Sequence, residues 1–290
     1  MNTASPSYHP NPSKPDWDLP SGACDTHCHV FGPVGQFPYA PDRTYTPASD
    51  APREALFALH EHLGIDRCVI VQAGCHGFDN SVVEAAIRAG APNYLGIALM
   101  PVDTPIAKLR EMRDAGFRGV RFNLMRHLGA GAPPEDVRKF CSHLAEADMH
   151  LQIHMEAELL GEVLPIFDDV AIPVVVDHIG RVDAGKGIQD RDFGHLLRFM
   201  EKEHSWVKVS GCDRISAQQT GYDDAISFAA KLIHDFPDRS LWGTDWPHPN
   251  ISKPVPDDGY LVSIIQRFAP SPESQKALLV DNPTRLYAFN

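Results

Sequence analysis

Eight short apolar runs, each followed by a stretch of helical periodicity, constrain the fold of this chain more than any other feature. They read ACDTHCHVF (23–31), RCVIVQA (67–73), YLGIALM (94–100), GVRFNLM (119–125), HLQIHM (150–155), PVVVDHI (173–179), WVKVSG (206–211) and SLWGTDW (240–246). Most are near-continuous in apolar residues rather than alternating, the pattern of strands buried on both faces of a parallel sheet. Of the intervening stretches, 51–64 sets Leu56, Leu59 and Leu63 on one face and closes on Gly64, suited to a C-cap. The stretch 103–116 opens with Asp103 and Thr104 as candidate N-caps, and 133–148 begins with the prolines and acids that suit a helix N-terminus. Helical patterns also fit 80–89, 157–168, 190–203, 222–235 and 272–280. Strand and helix in strict alternation imply a parallel sheet. Eight such units between residues 21 and 290 match an α/β fold, a single (β/α)8 TIM barrel, whose usual size is about 250 residues. An open doubly wound sheet is the alternative. Residues 1–20, rich in Pro, Ser and Asn, show no periodicity and are expected to form an extended N-terminal arm, disordered or laid across the body.

The net charge of −12 argues against a nucleic-acid partner, because phosphate binding needs a basic surface. It leaves room for a local basic pocket and a small anion. Six cysteines without CxxC spacing read as buried free thiols of a reducing compartment. The N-terminus lacks the apolar core of a signal peptide, and no run approaches the roughly 18 apolar residues of a membrane span. The expectation is a soluble cytoplasmic protein with no membrane partner.

In a barrel of this kind, reactive groups gather at the C-terminal ends of the strands. His27 and His29 share one face of the first strand, since side chains two apart point the same way. His154 ends the fifth strand, Asp177 and His178 the sixth, and Asp245 the eighth, followed by Trp246 and His248. The fourth carries Arg121 and Asn123, then Arg126 and His127; the seventh runs into Asp213 and Arg214. One histidine in an apolar strand is an ordinary packing residue. Four histidines and a carboxylate at one mouth are not what a core selects, because each buried polar group without a partner costs about 1–3 kcal/mol. The set suits a divalent metal, zinc first, which takes three or so protein ligands in a catalytic site. It also suits polar contacts to a substrate without a metal. Arg121, Arg126, Arg181 and Arg214 lie just beyond strand ends, and their planar forks fit carboxylate or sulfonate. Together they point to a doubly charged anion. No GxSxG elbow is present, which disfavours a serine nucleophile.

HxH after strand one, His on strands five and six, and Asp on strand eight resemble the layout of the amidohydrolase superfamily. GTDWPHP and DHIGR resemble its amidohydrolase-2 branch. DTHCHVFGP, FPYAPDRTYTP, VIVQAGCHGFDN, GVRFN, VVDHIGR, CDRI and WGTDWPHPN…PDDG are similar to the 2-pyrone-4,6-dicarboxylate lactonases, from about residue 20 to the C-terminus. The resemblance implies metal ligation by His27, His29, His154 and Asp245, with His178 on the substrate carbonyl or the metal. It implies substrate contacts from Tyr45, Arg121, Arg181 and Arg214. Cys75, His76, Asn250 and the pair Arg126-His127 fall in the same motifs or loops and are expected at the substrate. His154 stands where those lactonases often have tyrosine and can work without a metal, and the pair after strand four reads Arg126-His127 instead of ending in arginine. Both changes point toward the similar 4-sulfomuconolactone hydrolases.

The expected reaction is hydrolysis of the ester bond of a small anionic lactone in aromatic-compound catabolism. Asp245 takes the proton of the attacking water and later delivers it to the leaving oxygen, and His178 hydrogen-bonds the carbonyl oxygen. The alternatives are a metal-dependent decarboxylase of the same superfamily and a non-catalytic binding protein on a retained barrel.

Overall fold

The computed structural model describes residues 7–124 and 132–289. Eight strands form one parallel sheet in sequence order: β1 (Cys24–Cys28), β2 (Arg67–Val71), β3 (Tyr94–Ala98), β4 (Phe117–Leu124), β5 (His150–Met155), β6 (Val174–Val176), β7 (Ser205–Lys208) and β8 (Ser240–Leu241). The ring closes through backbone bonds between β1 and the segment after β8. Thr26 N–H donates to Trp242 O at 2.9 Å, Asp245 N–H to His27 O at 2.7 Å and His29 N–H to Trp246 O at 2.7 Å. The molecule is the (β/α)8 barrel expected from the alternation.

Burial on both sides explains the near-continuous apolar strands. Cys24, Val69, Val71, Ile97, Val175, Trp206 and Leu241 fill the barrel's interior. The opposite faces of the same strands pack under helices α1 (Arg53–Leu63), α2 (Ser81–Gly90), α3 (Ile106–Asp114) and α4 (Pro134–Glu146), then under the helices Arg191–Met200 and Asp223–Asp235. Gly64 ends α1 in the left-handed conformation at φ 77, as expected. Asp103 and Thr104 do not cap α3. Pro105 holds the N-cap position, and the Thr104 hydroxyl donates to Pro101 O at 2.7 Å. The stretch 157–168 is three short turns instead of one helix, with Pro165 inside the last, where it has no N–H to give.

β6 and β8 are shorter than their apolar runs because the chain leaves the sheet to build the mouth. His178, Ile179 and Arg181 take φ of 50, 54 and 56, and Asp245, His248 and Asn250 take 63, 59 and 55. Left-handed conformations in non-glycine residues are costly and gather where function fixes a side chain's aim. Residues 8–17 lie across the body. Ser13 N–H donates to Asp257 at 2.9 Å, Trp17 Nε1 to Val262 O at 3.2 Å, and Tyr8 packs on Trp246 at 4.9 Å between ring centroids. All six cysteines are buried and free. Among the described residues no helix is long and apolar enough to cross a membrane.

Candidate active site

Three imidazole Nε2 atoms converge on one carboxylate. Asp245 Oδ1 lies 3.3 Å from His29 Nε2 and 3.8 Å from His27 Nε2, and Asp245 Oδ2 lies 3.7 Å from His178 Nε2. His27, His178 and Asp245 each offer a ligand atom within 4.8 Å of the other two. Asp25, buried beneath them, fixes β1 to the eighth strand segment. It accepts from His27 N–H at 3.0 Å and from the Thr244 backbone and hydroxyl at 3.1 and 2.6 Å.

The charges of the group follow from burial. Burial pushes His29 below the ordinary imidazole range, and it pushes His27 and His178 well below. Burial acts on Asp245 in the opposite sense, but Arg214 and the surrounding histidines hold its carboxyl well below the usual range. Arg214 Nε sits 2.5 Å from Asp245 Oδ2. An ionised carboxylate thus faces neutral imidazoles. His29 Nδ1 is held by Val71 O at 2.7 Å, which leaves a lone pair on Nε2. The Nε2 atoms of His27 and His154 are buried with no hydrogen-bond partner. These donors fit a divalent cation. His154 was expected among the ligands. Its ring lies edge-on to His178 at 5.6 Å, outside the tight group, and it lines the cavity.

The cavity beside this group is lined by His29, Tyr45, Arg121, Asn123, His154, His178, Arg181, Arg214, Asp245 and Asn250. Its arginines are not equivalent. Arg214 is committed to Asp245 and to Pro249 O at 2.9 Å. Arg121 donates to Gln72 O at 2.8 Å and stands 3.9 Å from Asp177. Among the described residues Arg181 has no hydrogen bond or ion pair, and burial with Arg214 nearby pushes its guanidinium down to about 10. Among the described arginines of the cavity, Arg181 is the one with no hydrogen bond or ion pair, while Arg121 keeps an unpartnered Nε. Cys75 and His76 do not line this cavity. The Cys75 thiol pairs with the Tyr45 hydroxyl, and His76 bridges Pro38 O at 3.0 Å and Gly32 N–H at 3.4 Å. Both are buried and hold the loop that carries Tyr45. Trp246 is buried under Tyr8, away from the cavity lining. Arg126 and His127 lie outside the described residues.

A polar layer below the histidines has no counterpart in the expectations. Lys208 is fully buried, and desolvation lowers it to about 8 against the pull of Asp177. Its Nζ donates to Thr26 O at 2.8 Å, Gln152 Oε1 at 2.9 Å and His27 Nδ1 at 3.2 Å. Lys208 shares the inward phase of Trp206 and Ser210. A lysine at that phase of an apolar run was the signal available for it.

The family model for amidohydrolases matches residues 24–289. The chain is 44% identical over 289 residues to a 2-pyrone-4,6-dicarboxylate hydrolase of Comamonas testosteroni, covering 97% of this chain and 94% of that one. It is 39% identical over 272 residues to a 4-sulfomuconolactone hydrolase of Rhizobium radiobacter, covering 93% and 91%. Among solved structures, a probable 2-pyrone-4,6-dicarboxylic acid hydrolase from Acinetobacter baumannii with citric acid bound superposes with a TM-score of 0.81. That pair is 27% identical, covering 92% of this chain and all of that one.

Proposed function

The chain belongs to the amidohydrolase family, and from that premise we propose that it hydrolyses the ester bond of a small, doubly anionic lactone of the 2-pyrone-4,6-dicarboxylate type. The observation that carries this is the adjacency of an ionised, arginine-held Asp245 to a cavity in which Arg181 has no partner among the described residues. An anion of the substrate satisfies Arg181 through two parallel N–H···O bonds. Tyr45, Asn123, His154 and Asn250 line the same cavity and orient the ring.

Asp245 accepts the proton of a water as its oxygen adds to the lactone carbonyl carbon. Arg214 keeps the carboxylate ionised and its Oδ1 turned toward the histidines. His178 takes a hydroxyl contact from Ser210 at 3.1 Å on Nδ1 and directs Nε2 at the mouth, where the carbonyl oxygen gains charge. The ring C–O bond then breaks, and Asp245 returns its proton to the leaving oxygen, giving the open-chain acid. A divalent cation, zinc in our reading, would be held by His27, His29 and Asp245 and would supply Lewis-acid polarisation of the carbonyl.

The test is loss of ultraviolet absorbance when purified protein meets 2-pyrone-4,6-dicarboxylate, with 4-sulfomuconolactone as the second substrate. Turnover of either with one equivalent of acid released is expected. Carbon dioxide release without ring-opened acid, or no turnover of any anionic lactone, overturns the reading.

A further inference from the structure

The ammonium of Lys208 has three N–H groups and three acceptors: Thr26 O, Gln152 Oε1 and His27 Nδ1. With Nδ1 accepting, neutral His27 carries its proton on Nε2. Asp177 Oδ1 lies 3.3 Å from the same Nδ1 and 3.6 Å from Lys208 Nζ, yet has no hydrogen-bond partner among the described residues. Its other oxygen accepts from Gln152 Nε2 at 3.0 Å, so the carboxylate is held in place. One ring nitrogen thus has a donor on one side and a waiting acceptor on the other.

We propose that Lys208 and Asp177 are positioning residues that set the tautomer of His27: Lys208 holds it with the proton on Nε2, facing Asp245 Oδ1, and a hydrogen bond from Nδ1–H to Asp177 instead turns Nε2 into a lone-pair ligand. The change moves one proton from Nε2 to Nδ1 with no net release. It frees one Lys208 N–H to turn toward Asp177. A cation entering the Asp245 group therefore works against Lys208 twice, through the tautomer it must reverse and through the ammonium's charge behind His27. Asp177 favours the cation on both counts. The inference rests on reading this group as the reacting site, but its test uses no substrate and fails or succeeds independently of lactone turnover.

Two measurements on the full chain decide it. Nitrogen-15 spectra of histidine-labelled, metal-free protein are expected to show His27 protonated on Nε2, and addition of Zn²⁺ to move the proton to Nδ1. Zn²⁺ affinity, measured by competition with a chromophoric chelator, is expected to rise about tenfold in Lys208→Met and to fall about tenfold in Asp177→Asn, the usual scale of an outer partner's effect on a ligand. A purely structural role would weaken both variants alike. A wild-type His27 already protonated on Nδ1 without metal, or weaker Zn²⁺ binding in Lys208→Met, overturns the proposal. The wild-type spectrum and the Asp177→Asn variant keep the test decisive if Lys208→Met does not fold.

Discussion

His29 turns Nε2 toward Asp245 Oδ1 at 3.3 Å while the Val71 carbonyl holds its Nδ1 at 2.7 Å. A carbonyl only accepts, so the imidazole proton sits on Nδ1 and a lone pair faces the carboxylate. Two acceptors at that distance need a proton or a cation between them. Burial disfavours the extra proton on His29, and a bound cation would satisfy both acceptors. Zn²⁺ at a hundred times its dissociation constant is therefore expected to add about 2.7 kcal/mol of stability and raise Tm by roughly 2–4 °C per kcal/mol. His29→Ala and Asp245→Ala should lose that rise. A wild-type melting curve that does not respond to Zn²⁺, Mn²⁺ or Co²⁺ contradicts the expectation.

Asp245 is expected to act in proton transfer and not in holding substrate. Asp245→Asn keeps the shape and the contact with Arg214 while removing the base. Its kcat should fall about 10²- to 10⁴-fold with little change in KM. Steady-state kinetics on the turned-over lactone check this, and a variant retaining more than a tenth of the activity would exclude Asp245 as the base.

Arg181 and Arg214 should fail in different kinetic constants. Arg181 has no hydrogen bond or ion pair among the described residues, so Arg181→Met is expected to raise KM by about 10- to 100-fold, the worth of a charge-assisted pair. Arg214 serves Asp245, so Arg214→Met should act mainly on kcat. Equal effects of both on KM would place Arg214 on the substrate as well.

Much of this was legible in the sequence, and the limits have physical reasons. The strands could be read because burial on both faces leaves an unbroken apolar run, and the mouth because His27, His29, His178 and Asp245 are polar residues that no packed core selects. The division of labour among arginines was not legible. Arg214 meets Asp245 only because the chain turns left-handed at Asp245 and Gly211, at φ 63 and 82, and spacing alone does not encode those turns. The resemblance placed His154 among the ligands and His178 on the carbonyl or the metal, but ring orientation at a strand end is set by neighbours such as Ser210, which spacing does not encode. Lys208 was passed over because one lysine in an apolar run also fits a side chain that snorkels to solvent.

His248 supplies a pH dependence of stability. Burial lowers it, but Asp258 at 3.1 Å, with Asp213 and Asp245 nearby, outweighs this and raises it above the ordinary imidazole value. A raised value means the folded state favours the imidazolium. The contribution is complete below the unfolded value of about 6.5 and is lost as pH rises through the folded value. His248→Gln should be less stable than wild type by roughly 1.5–3 kcal/mol at pH 6, with the gap narrowing toward pH 9. Urea unfolding at the two pH values measures it, and a gap that does not change with pH shows His248 to be neutral throughout.

Gly211 separates strain from displacement. A Cβ there would lie 2.9 Å from His178 Cβ and 3.1 Å from its Nδ1, at a backbone φ of 82. Gly64 has a similar φ of 77 but nothing within 4 Å of a Cβ. Both alanine variants incur the left-handed cost of about 1–2 kcal/mol, so both should melt a few degrees lower. Only Gly211→Ala pushes His178 off its line to the mouth, and misplacing a reacting group by an ångström costs up to about 10²-fold in rate. The expected result is a large loss of kcat in Gly211→Ala and unchanged kcat in Gly64→Ala at a temperature where both are folded. Equal kcat in the two variants would mean that His178 does not act on the carbonyl.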